Sequence, residues 1–168
     1  ASGGLGSSEH LNTELFWQLT GTQGIHVPYK GSGQAVSDLL AGHSDVGFLN
    51  LSAVSQYVKS GKLKAIAITS DKQSPLLPGV PTMAETGLSG LEVYSWQGVA
   101  VPVRTDPKVA DELQKAVVKT LRSPEIEKNL TAQGFEVVAS SQKDFQVFVA
   151  QEIERWKRVA QTANLSLD

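Results

Sequence analysis

Three short loops built from glycine, serine and asparagine carry the residues whose types and spacing are best suited to chemistry. They are Gly3–Ser8, Lys30–Gly33 and Asn50–Ser52, and each stands directly before a segment with helical periodicity. A helix N-terminus offers unpaired backbone N–H groups and about half a unit of positive charge. If these three termini converge on one crevice, they form an anion site that needs no Arg side chain.

The same loops are weak matches to motifs of nucleotide binding and catalysis. Gly6-Ser7-Ser8 lacks the Gly-x-x-x-x-Gly-Lys-Ser/Thr pattern, and Gly31-Ser32-Gly33 lacks the third glycine of a dinucleotide fingerprint. A serine hydrolase would need Gly-x-Ser-x-Gly at a strand-to-helix elbow, which is also missing, although triad residue types occur at Ser7, Ser8, His10, His26 and Asp45. We therefore predict a binding protein with no catalytic residue and no cofactor, and keep a hydrolase as a minor alternative.

No pattern in the sequence indicates a metal site. His10, His26 and His43 share no spacing that would place two of them on one helix face, and the chain contains no Cys. We expect His26 to be packed or hydrogen-bonded within a strand and His43 to be solvated. His10, one turn into the first helix, is the histidine best placed to face the crevice.

Alternating apolar runs and helical stretches position the three loops. The expected strands are Ile25–Tyr29, Val46–Leu49, Leu63–Thr69, Val93–Val101 and Phe135–Ala139. Strand–loop–helix units in the first part of the chain imply right-handed crossovers and a parallel sheet, which is the α/β class. Ligands in such sheets bind beyond the carboxyl ends of the strands, where these loops lie. Leu63–Thr69 is apolar on both faces, which predicts helices on both sides of it.

Cap residues predict where the helices begin and end. Ser7 or Ser8 opens the first helix and Gly21 closes it, while Ser52 is expected to cap the helix that follows Asn50. In the last third, the helix-opening residues are Asp106 before Pro107, Ser123 before Pro124, and Ser141. The Pro- and Gly-rich stretch 74–90 marks a boundary. We predict two domains, 1–92 as an α/β ligand-binding domain and 93–168 as a crossing strand followed by a helical part.

Composition limits the classes of partner. The 168 residues are 40% hydrophobic and 19% charged, with a formal net charge of -2. This balance lacks the basic field that phosphate-backbone binding requires, so we predict no nucleic-acid partner. The longest apolar runs fall far below the roughly 20 residues of a membrane span.

Several motifs, taken in order, resemble the Bug-type solute receptors, the extracytoplasmic binding components of tripartite tricarboxylate transporters. The first is His26-Val27-Pro28-Tyr29-Lys30-Gly31-Ser32-Gly33. The resemblance continues through Asp38–Gly42, Gly61–Ala65, Leu77–Glu85, Ser95–Gly98, Ala132–Gly134 and Glu152–Trp156. It covers essentially the whole chain, and the motifs are specific as a set.

The resemblance implies a periplasmic receptor with a type II periplasmic-binding-protein fold that closes on a small di- or tricarboxylate or a related organic acid. It implies an integral-membrane permease as the partner that receives the ligand. Residues that match the second-domain side of the cleft are Gly6, Ser7, Ser8, Gly31, Ser32 and Gly33, with Asn50 completing the set. The alternative is a ligand-sensing module of a signalling or regulatory system, because folds of this kind recur with different outputs.

Such receptors carry a further segment ahead of Gly3, so we expect that an N-terminal part has been removed from this chain. The region 93–168 would then be the C-terminal remnant of the first domain. A remnant of this kind would expose an unpaired sheet edge and an apolar face. We therefore expect the chain to self-associate as a dimer or a higher oligomer.

Overall fold

The computed structural model describes residues 1–165, which divide into two compact units. The first unit is Ala1–Ser95 together with the helical segment that begins at Trp156, and the second is Trp96–Arg155. The division falls three residues beyond the predicted boundary at 92/93, and the end of the last helix groups with the first unit. Six α-helices are described: α1 Ser8–Thr20, α2 Ser32–Leu40, α3 Leu51–Lys59, α4 Pro107–Leu121, α5 Pro124–Ala132 and α6 Gln142–Thr162.

Most helix boundaries follow the predicted caps. The Ser7 hydroxyl accepts a hydrogen bond from the His10 N–H, and α1 ends at Gly21 in the left-handed conformation. Asp106 accepts from the Lys108 N–H at the start of α4. The start of α3 differs from the prediction, because Asn50 and not Ser52 precedes its first turn. The Pro- and Gly-rich stretch 74–90 contains one short 3-10 turn, Ala84–Thr86.

In the first unit, the extended segments pair in parallel at isolated positions. Ser2 bridges Pro28, with hydrogen bonds from Ser2 N–H to Val27 O (3.2 Å) and from Tyr29 N–H to Ser2 O (3.0 Å). Ile68 bridges Thr82 in the same parallel sense. The parallel direction therefore agrees with the predicted sheet, although the extent of pairing does not.

Within residues 1–165, none of the five predicted strands forms a continuous ladder. Pro28 lies in one of these bridges and Pro81 lies next to the other. Neither proline has an N–H that could donate to a further ladder hydrogen bond. Ala139 has φ 47°, which breaks the extended backbone expected for Phe135–Ala139. Ile66 is 67% exposed, so the expectation of helices on both faces of Leu63–Thr69 is wrong.

The core of the described chain lies in the first unit. Its buried apolar residues come from α1, α2, the boundary stretch and the segment directly after it, and the end of α6: Leu11, Ala35, Val36, Leu77, Leu91, Val93 and Val159. The Gln18 amide donates to the Val159 carbonyl (3.1 Å), which ties α1 to the end of α6. The Tyr29 hydroxyl donates to Asp38 (2.9 Å) and so fixes the loop ahead of α2 to that helix. This core holds the starts of α1 and α2 in place.

The second unit is organised around aromatic contacts. Trp96 packs edge-on against Phe145 and Phe148, with ring centroids 5.7 and 5.4 Å apart, and its indole N–H donates to Glu152 (3.3 Å). Helices α4 and α5 pack together, and the Gln142 amide donates to Asp111 (2.9 Å). No residue of this unit is fully buried. The described helices include none long and apolar enough to cross a membrane.

Candidate functional site

The three loops predicted from the sequence meet at one side chain, the carboxylate of Glu9. Glu9 is the second residue of α1 and is only 4% exposed. Its Oε2 accepts a hydrogen bond from the Gly3 N–H in the first loop. Its Oε1 accepts from the Ser32 hydroxyl (2.8 Å), the Asn50 N–H (3.3 Å) and the Asn50 side-chain amide (3.2 Å). Donors from all three loops therefore hold one carboxylate.

Two glycines allow the loops to come this close. A Cβ at Gly3 would lie 2.8 Å from Glu9 Oε2 and 3.1 Å from the Ser32 backbone nitrogen. Gly31, the N-cap of α2, has φ 115°, a conformation that L side chains rarely adopt. The Gly31 N–H donates to the Gly3 carbonyl (2.9 Å), which joins the first loop directly to the second.

The predicted ligand-binding residues take different positions in this arrangement. Ser32 and Asn50 contact Glu9 directly, whereas the Gly6 N–H donates to His10 Nδ1 (3.1 Å) and the Ser7 hydroxyl donates to the Gly4 carbonyl (2.8 Å). Ser8 and Gly33 stand in the first turns of α1 and α2, outside the set of donors to Glu9. The structure therefore brings together one residue from each of the second and third loops, with Gly3 from the first.

Sequence reasoning missed Glu9, and it did not count Gly3 among the ligand-binding residues although Gly3 opens the first predicted loop. An acidic residue in the first turn of a helix is ordinarily explained as a complement to the helix dipole, so Glu9 attracts no attention by itself. One signal was available in the sequence. It predicted an anion site at the start of α1, and Glu9 is the acidic residue in the first turn of that helix. The Asn50 side chain bonds Glu9 and not the backbone of α3, which explains why it makes no capping hydrogen bond.

Beside the loops, the rings of two histidines stack. The rings of His10 and His26 are parallel within 8°, with centroids 3.9 Å apart, and His10 is 2% exposed. Burial lowers the pKa of His10, although the nearby Glu14 opposes this effect. Burial, reinforced by His10, lowers the pKa of His26 to about 4. His43, in contrast, is solvated as predicted, with 71% of its side chain exposed.

A Ser–His contact also exists here, but its geometry does not suit hydrolysis. His26 Nε2 lies 2.7 Å from the Ser2 hydroxyl, and Ser2 is fully buried. A nucleophile without exposed surface cannot meet a substrate, and the serines considered from the sequence, Ser7 and Ser8, bond to no histidine side chain among the described contacts. The described residues also contain no cluster of three metal-ligating side chains. The arrangement is suited to holding a polar group through neutral donors.

An α/β unit in which helix N-termini converge on one group beyond parallel extended segments is typical of the periplasmic-type solute-binding proteins. The model of the tripartite tricarboxylate transporter family receptor matches residues 1–165, and the chain belongs to that family. The recognition made from the sequence motifs is therefore confirmed.

Known relatives agree with this assignment. Protein BugT of Bordetella pertussis is 39% identical over 163 residues, which are 97% of this chain and 50% of BugT. Among solved structures, R. palustris Rpa4515 with adipate matches with a TM-score of 0.87 at 37% identity. The match covers 96% of this chain and 54% of the Rpa4515 chain. The periplasmic binding protein BugD matches with a TM-score of 0.87 at 32% identity. That match covers 97% of this chain and 55% of the BugD chain.

These similarities confirm the fold class, periplasmic-binding-protein-like α/β. The chain spans half the length of BugT and slightly more than half of each solved chain. BugD is described as a periplasmic binding protein, and the matching family model describes a receptor.

Proposed function

We propose that this chain is part of an extracytoplasmic solute-binding protein that captures a small organic acid for a tripartite tricarboxylate transporter. The observation that carries the proposal is the convergence of N–H, hydroxyl and amide donors from three loops on one carboxylate. Neutral donors of this kind hold an anion without an Arg fork, and the sequence contains no Arg before Arg104. Adipate in the related Rpa4515 structure supports an organic acid as the ligand class.

We assign the ligand to the rim of these loops, formed by Gly6, Ser7, Ser8, Gly31, Ser32, Gly33 and Asn50. Binding is non-covalent in this proposal, so no residue acts as a nucleophile and no cofactor takes part. The site of action is the periplasm, as for BugD. The ligand passes from the receptor to an integral-membrane permease.

Thermal-shift screening of the chain against a panel of carboxylic acids tests the binding function. A ligand that binds only the folded state raises the melting temperature by mass action. At least one small organic acid is expected to do so. If none does, while an ester is turned over, the binding-protein proposal is wrong and hydrolysis takes its place.

Comparison of two variants tests the assignment of the site. Replacing Ser32 by Leu removes a hydroxyl donor and fills the space beside Glu9, so it should weaken binding by about tenfold or more. Lys30→Ala removes a cation beside this loop, at an exposed position, and should weaken binding less. Isothermal titration calorimetry gives both affinities, and the reverse order would remove the loops from the site.

Uptake assays test the transport role separately from binding. A bacterial strain that lacks only this receptor should lose uptake of the bound acid, because the proposed permease would receive no ligand. Undiminished uptake in that strain would favour the alternative output, a sensing module that binds the same acid.

A further inference from the structure

The side chain of His10 holds the first loop through one ring nitrogen. The Gly6 N–H donates to His10 Nδ1 (3.1 Å), so Nδ1 carries no proton and the ring proton lies on Nε2. Nε2 faces the Glu14 carboxylate at 3.5 Å, one turn further along α1. His10 is 2% exposed, whereas Gly6 and Ser7 keep part of their surface in solvent. The ring therefore supports the loop from inside the protein, and the loop presents the surface that a ligand can reach.

The stacked partner ring supports the same loop at a second point. His26 Nε2 lies 2.7 Å from the Ser2 hydroxyl. That hydroxyl donates to the Gly4 carbonyl (3.2 Å) and accepts from the Gly4 N–H (3.3 Å). The two rings are 3.9 Å apart, so a positive charge on one disfavours a positive charge on the other. Both rings thus fix the backbone of residues 4–6.

The charged groups that act on the two rings, directly or through one another, are Glu14, Glu9, Asp45 and the Ala1 α-ammonium. Burial lowers the pKa of His10, although Glu14 opposes this effect. Burial, the charge of a protonated His10 and the Ala1 ammonium lower the pKa of His26 to about 4. Glu9 and Asp45 favour the charged form of that ammonium. Both rings are therefore neutral at neutral pH and gain charge as the solution becomes acidic.

We propose that His10 is a positioning residue for ligand binding: its neutral ring holds the Gly6 N–H, and with it the first loop, in the conformation that receives the organic acid. This inference rests on the proposed function. A second proton on the ring would occupy Nδ1 and face the Gly6 N–H, which would set two donors against each other without an acceptor. The loop would then have to move. Because ring protonation and ligand binding disfavour each other, acid should release the ligand.

Variants of His10 separate positioning from packing. His10→Asn offers a side-chain oxygen close to the place of Nδ1 and does not titrate, whereas His10→Leu fills the space of the ring without an acceptor. If the ring only fills space, His10→Leu should bind better than His10→Asn. We expect the reverse at about pH 7.5, with His10→Leu weakened about tenfold and His10→Asn close to the unsubstituted chain. Thermal unfolding confirms that each variant is folded.

Glu14→Gln is the matched control on the same helix. It leaves the bond between Gly6 and His10 in place, so the affinity at about pH 7.5 should not change. It removes the carboxylate that favours a proton on His10, so the pKa of His10 should fall. The loss of binding in acid should therefore move to lower pH.

Isothermal titration calorimetry from about pH 7.5 to about pH 4.5 measures the acid release. The probe is adipate, the acid in the related Rpa4515 structure, or the four- to six-carbon dicarboxylate with the largest thermal shift if adipate does not bind. The probe itself gains protons in this range, so the compared quantity is the dissociation constant of the unsubstituted chain divided by that of His10→Asn. This ratio should rise by about threefold or more toward pH 4.5. A constant ratio would overturn the inference.

A second measurement needs neither a ligand nor a variant at position 10. Nitrogen-15 NMR of the ligand-free chain follows the ring of His10 and the Gly6 amide through the same pH range, and the two should titrate together. If the Gly6 amide does not follow the ring, His10 does not position the loop, while the proposed function survives. If the amide follows the ring but no acid binds at any pH, the proposed function fails and the inference of acid release fails with it.

Discussion

At the scale of the residue, Glu9 joins parts of the chain that are distant in sequence. Its carboxylate accepts from Ser32 and Asn50, which are 23 and 41 positions away. Hydrogen bonds to a charged acceptor stabilise a fold by about 1.5–3 kcal/mol each, and leaving such a group buried without partners costs more. A single side chain therefore fixes the relative positions of three loops.

Gly3 is the residue at which this arrangement has least tolerance. A Cβ there would lie 2.8 Å from Glu9 Oε2 and 3.1 Å from the backbone nitrogen of Ser32. We expect Gly3→Ala to destabilise the chain by about 1–3 kcal/mol. The added methyl group would push the backbone of the first loop away from Ser32 and lengthen its hydrogen bond to Glu9. Gly33→Ala is the matched control, since a Cβ at Gly33 meets nothing within 4 Å. Urea unfolding measures both, and equal stabilities would show that the loops are not tightly packed at Gly3.

The His10–His26 pair should make the stability depend on pH. In the folded chain the pKa of His26 is lowered to about 4 and that of His10 is also lowered, while both are about 6.5 when unfolded. Between pH 6.5 and pH 4 the unfolded state thus binds more protons, so stability falls as the pH is lowered through this range. The loss should be on the order of 3 kcal/mol, because a pKa that falls from about 6.5 to about 4 on folding corresponds to roughly that free energy.

Melting temperatures across this pH range check the effect. His26→Asn should flatten the profile, because it removes the group whose pKa changes most on folding. His43→Gln should leave the profile unchanged, since the His43 side chain is 71% exposed. A His26→Asn profile as steep as that of the unsubstituted chain would assign the acid sensitivity to other groups.

At the scale of the element, the helix starts are set by local polar contacts. Ser141 caps the start of α6: the Asp144 N–H donates to the Ser141 hydroxyl (3.1 Å), which donates to the Asp144 carboxylate (2.7 Å). We expect Ser141→Ala to destabilise the chain by about 1 kcal/mol. Ser140→Ala should have little effect, because the described contact of Ser140 uses its backbone carbonyl. Chemical unfolding gives both values, and equal losses would mean that the Ser141 cap does not stabilise α6.

Elements that depend on local contacts were predictable from the sequence, and those that depend on distant partners were less so. Ser7, Asp106 and Ser141 mark helix starts because a cap bonds within three residues. Strands need partners elsewhere in the chain, and here Ser2 and Pro28 pair at one position only. The alternation of apolar runs and helical stretches predicted the parallel α/β class, but not where the extended segments pair.

The candidate site shows the same division. Composition and spacing identified the three loops, because Gly, Ser and Asn before a helix are visible in the sequence. The role of Glu9 was not visible, because its burial results from the meeting of loops that are far apart in the chain. Asn50 was included among the site residues, but its partner could be named only from the structure.

At the scale of the whole molecule, the two units differ in how they bury apolar side chains. The first unit encloses residues such as Leu91, which is 0% exposed. The second unit has no fully buried residue and leaves apolar side chains in solvent: Val99, Val101, Val103, Val109, Leu113, Phe135, Val138, Val147, Phe148 and Ile153. A soluble monomer rarely exposes so extensive a set of apolar side chains.

We predict that the 168-residue chain self-associates through this exposed apolar set. Fully burying a Val, Ile or Phe side chain stabilises an assembly by about 1.5–3 kcal/mol, so a few such residues are comparable with the stability of a small domain. Two copies related by a two-fold axis present the same face to each other, which makes one patch self-complementary. Light scattering coupled to size exclusion, at micromolar concentration, should give a dimer or a higher oligomer.

A matched pair of double variants on α6 tests whether the apolar side chains cause this association. Val147 and Ile153 are 51% and 59% exposed, so replacing both by Lys should shift the chain toward monomer without loss of packing. Gln146→Lys with Gln151→Lys adds the same charge at exposed polar positions of the same helix and should leave the association unchanged. A folded, unsubstituted chain that runs as an 18.0 kDa monomer would refute the prediction, because its second unit would then be stable with the apolar set in water.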